Sequence, residues 1–265
     1  MAKRIVLVKL GGSLITDKTK PFTVRKAVLE RVLKEVAEIF KEHKGGLVLG
    51  HGAGSFGHVV AEKYEAVLGN KGKGGTQGAA EVRLAAAELN RIVVEKLVSF
   101  GVPAVALSPS SCVVAREGRI ISFGLDPVRE MLERGFLPVT YGDVVMDETR
   151  GWTIASTEKV LGALALGLKK NFKVELVVHC GVTGGVEDAE RNVIERITVK
   201  NFGSYKHLMN GAAGVDVTGG MLHKVEESLA LVKEGVESLI VDGRMKGNIA
   251  KAIAGNGFVG TRIER

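Results

Sequence analysis

Cysteine is almost missing from this 265-residue sequence: Cys112 and Cys180 are its two thiols, far apart in the chain. Neither belongs to a Cys-x-x-Cys pair or has a histidine at metal-ligand spacing, which excludes a disulfide framework and argues against a protein-held metal. A reducing compartment, the cytoplasm, is the expected location. Proline is nearly as scarce, at 5 residues, and with 45% hydrophobic residues the chain is too apolar for disorder. No apolar stretch approaches the roughly 18 residues of a membrane span, so no membrane partner is expected. Met1 to Arg4 is basic, but Ile5 to Val8 is a strand-length run rather than the core of a signal peptide. Aromatic residues, 5% of the total, do not interleave with basic ones. That argues against nucleic acid as a partner, even with a net charge of +7 and a pI near 9.4. Lysines and arginines are instead spread among glutamates, as in Arg31-Val32-Leu33-Lys34-Glu35, a balance that suits an enzyme of anionic metabolites.

What the chain has in quantity is glycine, and its glycines gather at strand ends. The stretch His51-Gly52-Ala53-Gly54-Ser55-Phe56-Gly57-His58 follows the apolar run Leu47-Val48-Leu49 and precedes Val59 to Tyr64, which can wind as a helix. It reads as a strand-to-helix turn. Its glycines let backbone approach a ligand, the N–H groups of the opening helix favour an anion, and His58 stands at the rim. Gly52-x-Gly54-x-x-Gly57 also matches the dinucleotide fingerprint in form. That motif wants a first βαβ unit and an acid about 20 residues on. Here the turn closes the second strand, and the residues up to Gly78 are rich in lysine and glycine. Beside this disfavoured dinucleotide reading stand a purely structural turn and a phosphate-handling turn, and the last is the preferred reading.

Taken in order, Ile5 to Val8 suits a strand covered on both faces, ending at Lys9 beside Gly11-Gly12-Ser13. Thr23 is expected to cap a helix from Val24 to about His43. Lys63 to Gly78 reads as a loop and Glu81 to Phe100 as a long helix with Leu84, Leu89, Val93 and Leu97 inward. A strand at Val102 to Leu107 leads to a hairpin turning at Arg116-Glu117-Gly118, a helix from Asp126 to Arg134, and a strand from Phe136 to Tyr141 that ends at Gly142-Asp143. A second hairpin spans Val144 to Ile154, and the two hairpins are expected to form a lid. Ala155-Ser156-Thr157-Glu158 caps a helix from Lys159 to Leu168. Strands follow at Val174 to Val178, Val193 to Ile197 and Leu239 to Val241, with a helix from Asn248 to Ala254 and a final edge strand from Phe258 to Ile263. Thr218-Gly219-Gly220 opens the helix that carries Lys224, a second glycine-lined helix start.

No Walker lysine motif, protein-kinase signature, Gly-x-Ser-x-Gly elbow or His-Glu-x-x-His is present. Two glycine-lined anion sites, with Lys9, Lys18, His58 and Lys224 beside them, suggest two phosphorylated ligands and phosphoryl transfer between them. The ordered set Lys9-Leu10-Gly11-Gly12-Ser13, Gly54-Ser55-Phe56-Gly57-His58, Tyr141-Gly142-Asp143 and Val217-Thr218-Gly219-Gly220-Met221 with Lys224 resembles the amino-acid kinase superfamily. Within it, the sequence is most similar to the archaeal isopentenyl phosphate kinases. The similarity runs essentially end to end, through Gly247-Asn248-Ile249 to Gly260-Thr261-Arg262. Ile15-Thr16-Asp17-Lys18 and His58 separate this branch from relatives that phosphorylate carboxylates.

The resemblance implies an α/β fold, an open, mostly parallel sheet sandwiched by helices with inserted β-hairpins. It implies one domain over residues 1–265, with an acceptor lobe at 1–154 and a nucleotide lobe at 155–265. It further implies a homodimer that transfers phosphate from ATP, with Mg2+ carried by the nucleotide, to an isoprenoid monophosphate. Lys9 and Lys224 would hold the ATP phosphates and Lys18 would stabilise the transferring group. Gly11, Gly12, Ser13, Gly54, Thr218, Gly219 and Gly220 would border the nucleotide. His58, with Ala53 and Gly54, would hold the acceptor phosphate, beside Gly142. Two departures stand out. Where relatives carry Ser-Gly-Asp this chain has Ser156-Thr157-Glu158, so Glu158 either organises the lysines or is an ordinary first-turn acid. Where relatives read Thr-Asp-Val-Asp-Gly, it has Cys180-Gly181-Val182-Thr183-Gly184, with both acids gone. The alternatives are a kinase of a small phosphonate, like the fosfomycin kinases, and a non-catalytic nucleotide-binding regulator.

Overall fold

Ile5 to Leu10 and Leu47 to His51 are buried without a break, as strands covered on both faces require. They are the middle of the sheet. The structure, a computed structural model, describes residues 2–66, 69, 72, 74–209 and 220–265. In chain order its elements are β1 (Arg4–Leu10), α1 (Gly12–Ile15), α2 (Lys26–Glu42), β2 (Leu47–His51), α3 (Gly54–Lys63), α4 (Gly75–Ser99) and β3 (Ala104–Ala106). Then come β4 (Val113–Arg116), β5 (Arg119–Phe123), α5 (Asp126–Glu133), β6 (Leu137–Tyr141), β7 (Asp143–Asp147), β8 (Gly151–Ala155) and α6 (Thr157–Leu168). The chain closes with β9 (Lys173–Gly181), β10 (Arg196–Thr198), α7 (Phe202–Tyr205), α8 (Gly220–Lys233), β11 (Glu237–Asp242), α9 (Asn248–Ala254) and β12 (Gly260–Glu264).

Among the described residues eight strands form one sheet in the order β10-β12-β11-β9-β1-β2-β6-β3, parallel except where β11 meets β12. One face carries the core cluster that joins Val6, Val8 and Leu49 to Leu33 and Val36 of α2, Leu89 and Val93 of α4, and Ile249 of α9. The opposite face joins Ile5, Leu7 and Val177 to Val160, Leu161 and Leu164 of α6. This is the expected open, mostly parallel sheet between helices.

Of the two hairpins expected as a lid, only the second lines the cavity, through Asp143 and Ile154. The hairpins join through parallel pairing of β4 with β7 into a second sheet, β5-β4-β7-β8. Val113, Ala115 and Val145 of that sheet belong to the same apolar cluster as α6. The Asp147 carboxylate ties the two tips together: it accepts from the amides of Gly118 (2.7 Å) and Arg150 (2.9 Å) and from the Thr149 hydroxyl (2.8 Å).

Several local expectations need correction. Thr23 does not cap α2, whose N-cap position is Arg25; its amide instead donates to Ser55 Oγ (3.1 Å) and its hydroxyl to the Pro21 carbonyl (2.9 Å). Tertiary contact with the glycine turn takes it away. In the Lys63 to Gly78 stretch, residues 67, 68, 70, 71 and 73 lie outside the described residues. Helix α4 nevertheless starts at Gly75 rather than Glu81, because the Tyr64 ring lies on its first turn, where a Cβ on Gly78 would come within 2.9 Å. Packing overrides the low helix propensity of glycine there. Leu84 is 62% exposed, so the inward stripe of α4 runs through Val82, Ala86, Leu89, Val93 and Leu97 without it. Strand β3 is confined to Ala104–Ala106, and β10 starts at Arg196, with Val193 left in an isolated bridge to Glu187. Strand β12 is not at the edge, since β10 pairs outside it. The short helix α7 had no counterpart in the sequence reading.

At the carboxyl ends of β1 and β2 two glycine turns interlock. A Cβ on Gly12 would lie 2.5 Å from the Gly54 nitrogen, and one on Gly52 would lie 2.8 Å from the Gly12 nitrogen. Gly54 has φ +52°, and a Cβ there would meet Thr16 Oγ1 at 2.1 Å. That hydroxyl is committed, accepting from the Ser55 amide (2.9 Å) and donating to the Gly12 carbonyl (2.7 Å). Gly54→Ala is therefore expected to cost roughly 1–3 kcal/mol, a fall of about 3–10 °C in melting temperature. A thermal melt within about 1 °C of the parent would show that the turns do not depend on this contact.

Candidate active site

The carboxyl ends of β1, β2 and β9 open into a cavity of about 660 Å3. Open α/β sheets bind ligands at this edge. Lys9, Gly11, Gly12, Ser13 and Lys18 line it from the first strand and the turn beyond; Ala53, Gly54 and His58 line it from α3 and its approach. Gly142, Glu158, Gly220 and Lys224 line it from the opposite side. Sequence residues singled out from distant stretches thus face one space. Thr218 and Gly219 lie outside the described residues. Part of the wall is apolar, built from Val59, Ala61, Val82, Ala86 and Ile154.

Lys9 and Glu158 form a buried ion pair. Glu158 sits in the first turn of α6, whose N-cap Ser156 accepts from the Lys159 amide (3.3 Å). Burial would raise this carboxyl, but Lys9, His179 and Lys224 outweigh it and hold it at about 2. Thr157, next to it, donates to the His51 carbonyl (2.8 Å) and locks α6 onto the central turn. Gly142 makes room for that threonine: a Cβ would stand 3.2 Å from Thr157 Oγ1.

His51 and His179 are both fully buried. Asn90 donates to His51 Nε2 (3.0 Å), which leaves Nδ1 to donate to the Gly52 carbonyl (3.2 Å), while the ring stacks on Tyr141. Burial lowers its pKa to about 4. His179 is lowered to about 3, by burial first, with Glu158 opposing and Lys9 and Lys224 adding to the effect. Asp143 also lines the cavity, and burial pushes its carboxyl up against the amides of Ser110 and Val144 that pull it down.

A sequence model of the Amino acid kinase family matches residues 4–242. The chain belongs to the amino acid kinase family. It is 32% identical to the isopentenyl phosphate kinase of Methanocaldococcus jannaschii over 98% of both chains. It is 35% identical to that of Haloferax volcanii, over 86% of this chain and 88% of the other. A solved structure described as "X-ray structures of isopentenyl phosphate kinase" matches with a TM-score of 0.81 at 30% identity, covering 98% of this chain and 99% of that one.

In this amino acid kinase the glycines at the cavity also have packing reasons. Gly11 and Gly12 border the cavity, yet a Cβ on either would meet backbone, the Cys180 carbonyl at 3.0 Å or Gly54 at 2.5 Å. Gly52 and Gly54 of the central turn are packed as closely, against Gly12 and Thr16. Sequence reasoning passed over His179 and quoted Thr157 and Asp143 only within motifs, without a role of their own. His179 sits one residue beyond an apolar run, and it stands out only once Lys9 is known to pair opposite it.

The histidines give the site a pH signature. Their folded pKa values lie below the usual 6.5, so from about pH 6.5 downward the unfolded chain binds protons that the folded chain refuses, and stability falls as pH falls. Each contributes a slope of about 1.4 kcal/mol per pH unit, down to about pH 4 for His51 and about pH 3 for His179. The Glu158 contribution is present above its usual 4.5 and is lost as pH falls from there through about 2. Denaturant unfolding of His179→Asn between pH 6 and 4 is expected to show a slope shallower by about one proton than the parent. Equal slopes would mean that His179 is charged in the folded chain.

Proposed function

We propose that this protein transfers the γ-phosphoryl group of ATP to isopentenyl phosphate, giving isopentenyl diphosphate and ADP in isoprenoid biosynthesis. One observation carries the reading: Lys9, Lys18, Lys224 and His58, from three separate stretches, face a single cavity that also has an apolar part, formed by Val59, Ala61, Val82, Ala86 and Ile154. Two phosphates brought together repel by about 4 kcal/mol per pair of unit charges at 4 Å and an effective dielectric near 20. Cations fixed in advance offset that repulsion, and little covalent chemistry is left to the protein.

We assign Lys9 and Lys224 to the nucleotide phosphates and Lys18 to the transferring group. His58, with the amides of Ala53 and Gly54, takes the acceptor phosphate, and Gly142 borders it. Gly11, Gly12, Ser13 and Gly220, with Thr218 and Gly219, border the nucleotide. An acceptor phosphate needs no strong base, so His58 positions rather than abstracts a proton. Val59, Val82, Ala86 and Ile154 suit a short hydrocarbon chain. Residues 1–154 then serve mainly the acceptor and 155–265 mainly the nucleotide. Among the described residues no cluster of three or more His, Cys, Asp or Glu is gathered for a metal, and magnesium is assigned to the nucleotide. A cytoplasmic homodimer completes the reading, and light scattering tests the oligomer.

ADP release with ATP, magnesium and a panel of isopentenyl phosphate, dimethylallyl phosphate, geranyl phosphate, fosfomycin and acetylglutamate is the direct test. The short isoprenoid monophosphates are expected to give the highest kcat/KM. A higher value for fosfomycin would favour the phosphonate-kinase alternative, and no turnover with any acceptor the regulatory one.

Glu158 is the residue at which the chain departs from its relatives while keeping a carboxylate. We assign it to hold Lys9 in register, a role that its burial supports. Glu158→Gln keeps the side-chain size and removes the charge, and single-turnover rates at saturating ATP and acceptor are expected to fall by roughly 100-fold. Glu158→Asp, shorter by one methylene, should recover only part of that loss. An unchanged rate in Glu158→Gln would reduce Glu158 to a first-turn acid.

A further inference from the structure

Strand β9 pairs with β1 so that His179 stands opposite Lys9, and β11 extends the row with Ile240. Partners in register share a face of the sheet. Leu7 and Val177, two residues earlier in each strand, pack against α6, so Lys9 and His179 cap that apolar layer side by side. Glu158 from α6 and Lys224 from α8 are the other charged groups that act on the ring. His179 is buried, lines the cavity, and has no hydrogen-bond partner for either ring nitrogen among the described residues. Buried polar groups are normally paired. The other buried orphan atoms, on Arg31, Thr140, Ser228 and Ser238, do not line the cavity. An unpaired imidazole on the floor of a cation-lined cavity fits a ligand that meets it there.

We propose that His179 contacts nucleotide phosphate and takes up a proton when a nucleoside di- or triphosphate enters the cavity, returning it when the nucleotide leaves. The proposal rests on the nucleotide reading above. The proton comes from solvent and goes to the second ring nitrogen; no covalent bond forms or breaks. Without a ligand, burial, Lys9 and Lys224 keep the ring neutral against Glu158, with its pKa at about 3. Each negative charge arriving at about 5 Å raises an imidazole pKa by roughly 2 at an effective dielectric near 20. Two such charges carry it to about neutrality. The imidazolium then has two N–H donors and adds one positive charge beside Lys9 and Lys224, where phosphate charge accumulates.

Calorimetric titration of MgADP near pH 6.5, in two buffers of different ionisation heat, counts the protons taken up. The parent protein is expected to take up about half a proton or more beyond the background given by His179→Asn, which keeps an N–H donor and does not titrate. The affinity of the variant should fall roughly two- to fivefold near pH 6.5 and differ little near pH 8.5. Equal proton numbers in the two proteins, or an affinity loss that does not depend on pH, would overturn the proposal while leaving nucleotide binding intact. Failure of MgADP to bind the parent would overturn the proposal and the nucleotide reading together. If the variant does not fold, histidine-labelled parent protein decides by nitrogen NMR. A His179 ring that shifts to the imidazolium pattern with MgADP supports the proposal, and one that stays neutral overturns it.

Discussion

The buried ion pair of Lys9 with Glu158 is the interaction that the cavity is built around. Removing an ammonium and a carboxylate from water costs several kcal/mol each, and attraction offsets it only when the two are held closely. Holding them is the work of the apolar layers. Lys9 ends a strand whose Ile5 and Leu7 lie in one cluster with Val160 and Leu161 of α6, the helix that carries Glu158 in its first turn. Hydrophobic packing thus sets the separation, and the helix amino terminus favours the carboxylate as an anion. The pair also joins the two parts of the chain, since one partner comes from the first strand and the other from the middle of the sequence.

Around that pair, neighbouring contacts fix backbone rather than charge. The glycine turns after β1 and β2 fit into one another with no room for a Cβ at Gly12, Gly52 or Gly54. Thr157 fastens α6 to the carbonyl of His51, whose ring is held by Asn90 and the Gly52 carbonyl. Backbone and charge are therefore set by the same few residues. This arrangement suits phosphoryl transfer, in which preorganised charge does most of the catalysis.

Much of this was legible in the sequence because it was written in short-range pattern. Unbroken apolar runs marked β1 and β2, a capping serine marked α6, and lysines next to glycines marked the cavity. The remainder depended on contacts between distant residues. Thr23 has the chemistry of a cap but is drawn to Ser55, and Gly75 to Gly78 look like a loop until the Tyr64 ring is set against them. Strand β12 looked terminal because chain order does not reveal that β10 pairs outside it. His179 followed an apolar run as a bystander would, and only the alignment of β9 with β1 puts it beside Lys9. Glu158 is open between two readings in the sequence, which does not show its burial against Lys9.

The strand order also bears on how the chain is made. Strand β1 is made before the strands on either side of it, β2 and β9. Its pairing with β2 can form as soon as residue 51 emerges, but its other edge waits for Lys173–Gly181. Through the intervening synthesis an apolar edge strand stays bare, the kind of surface that pairs with other chains. A truncation short of Lys173 would leave that edge open permanently.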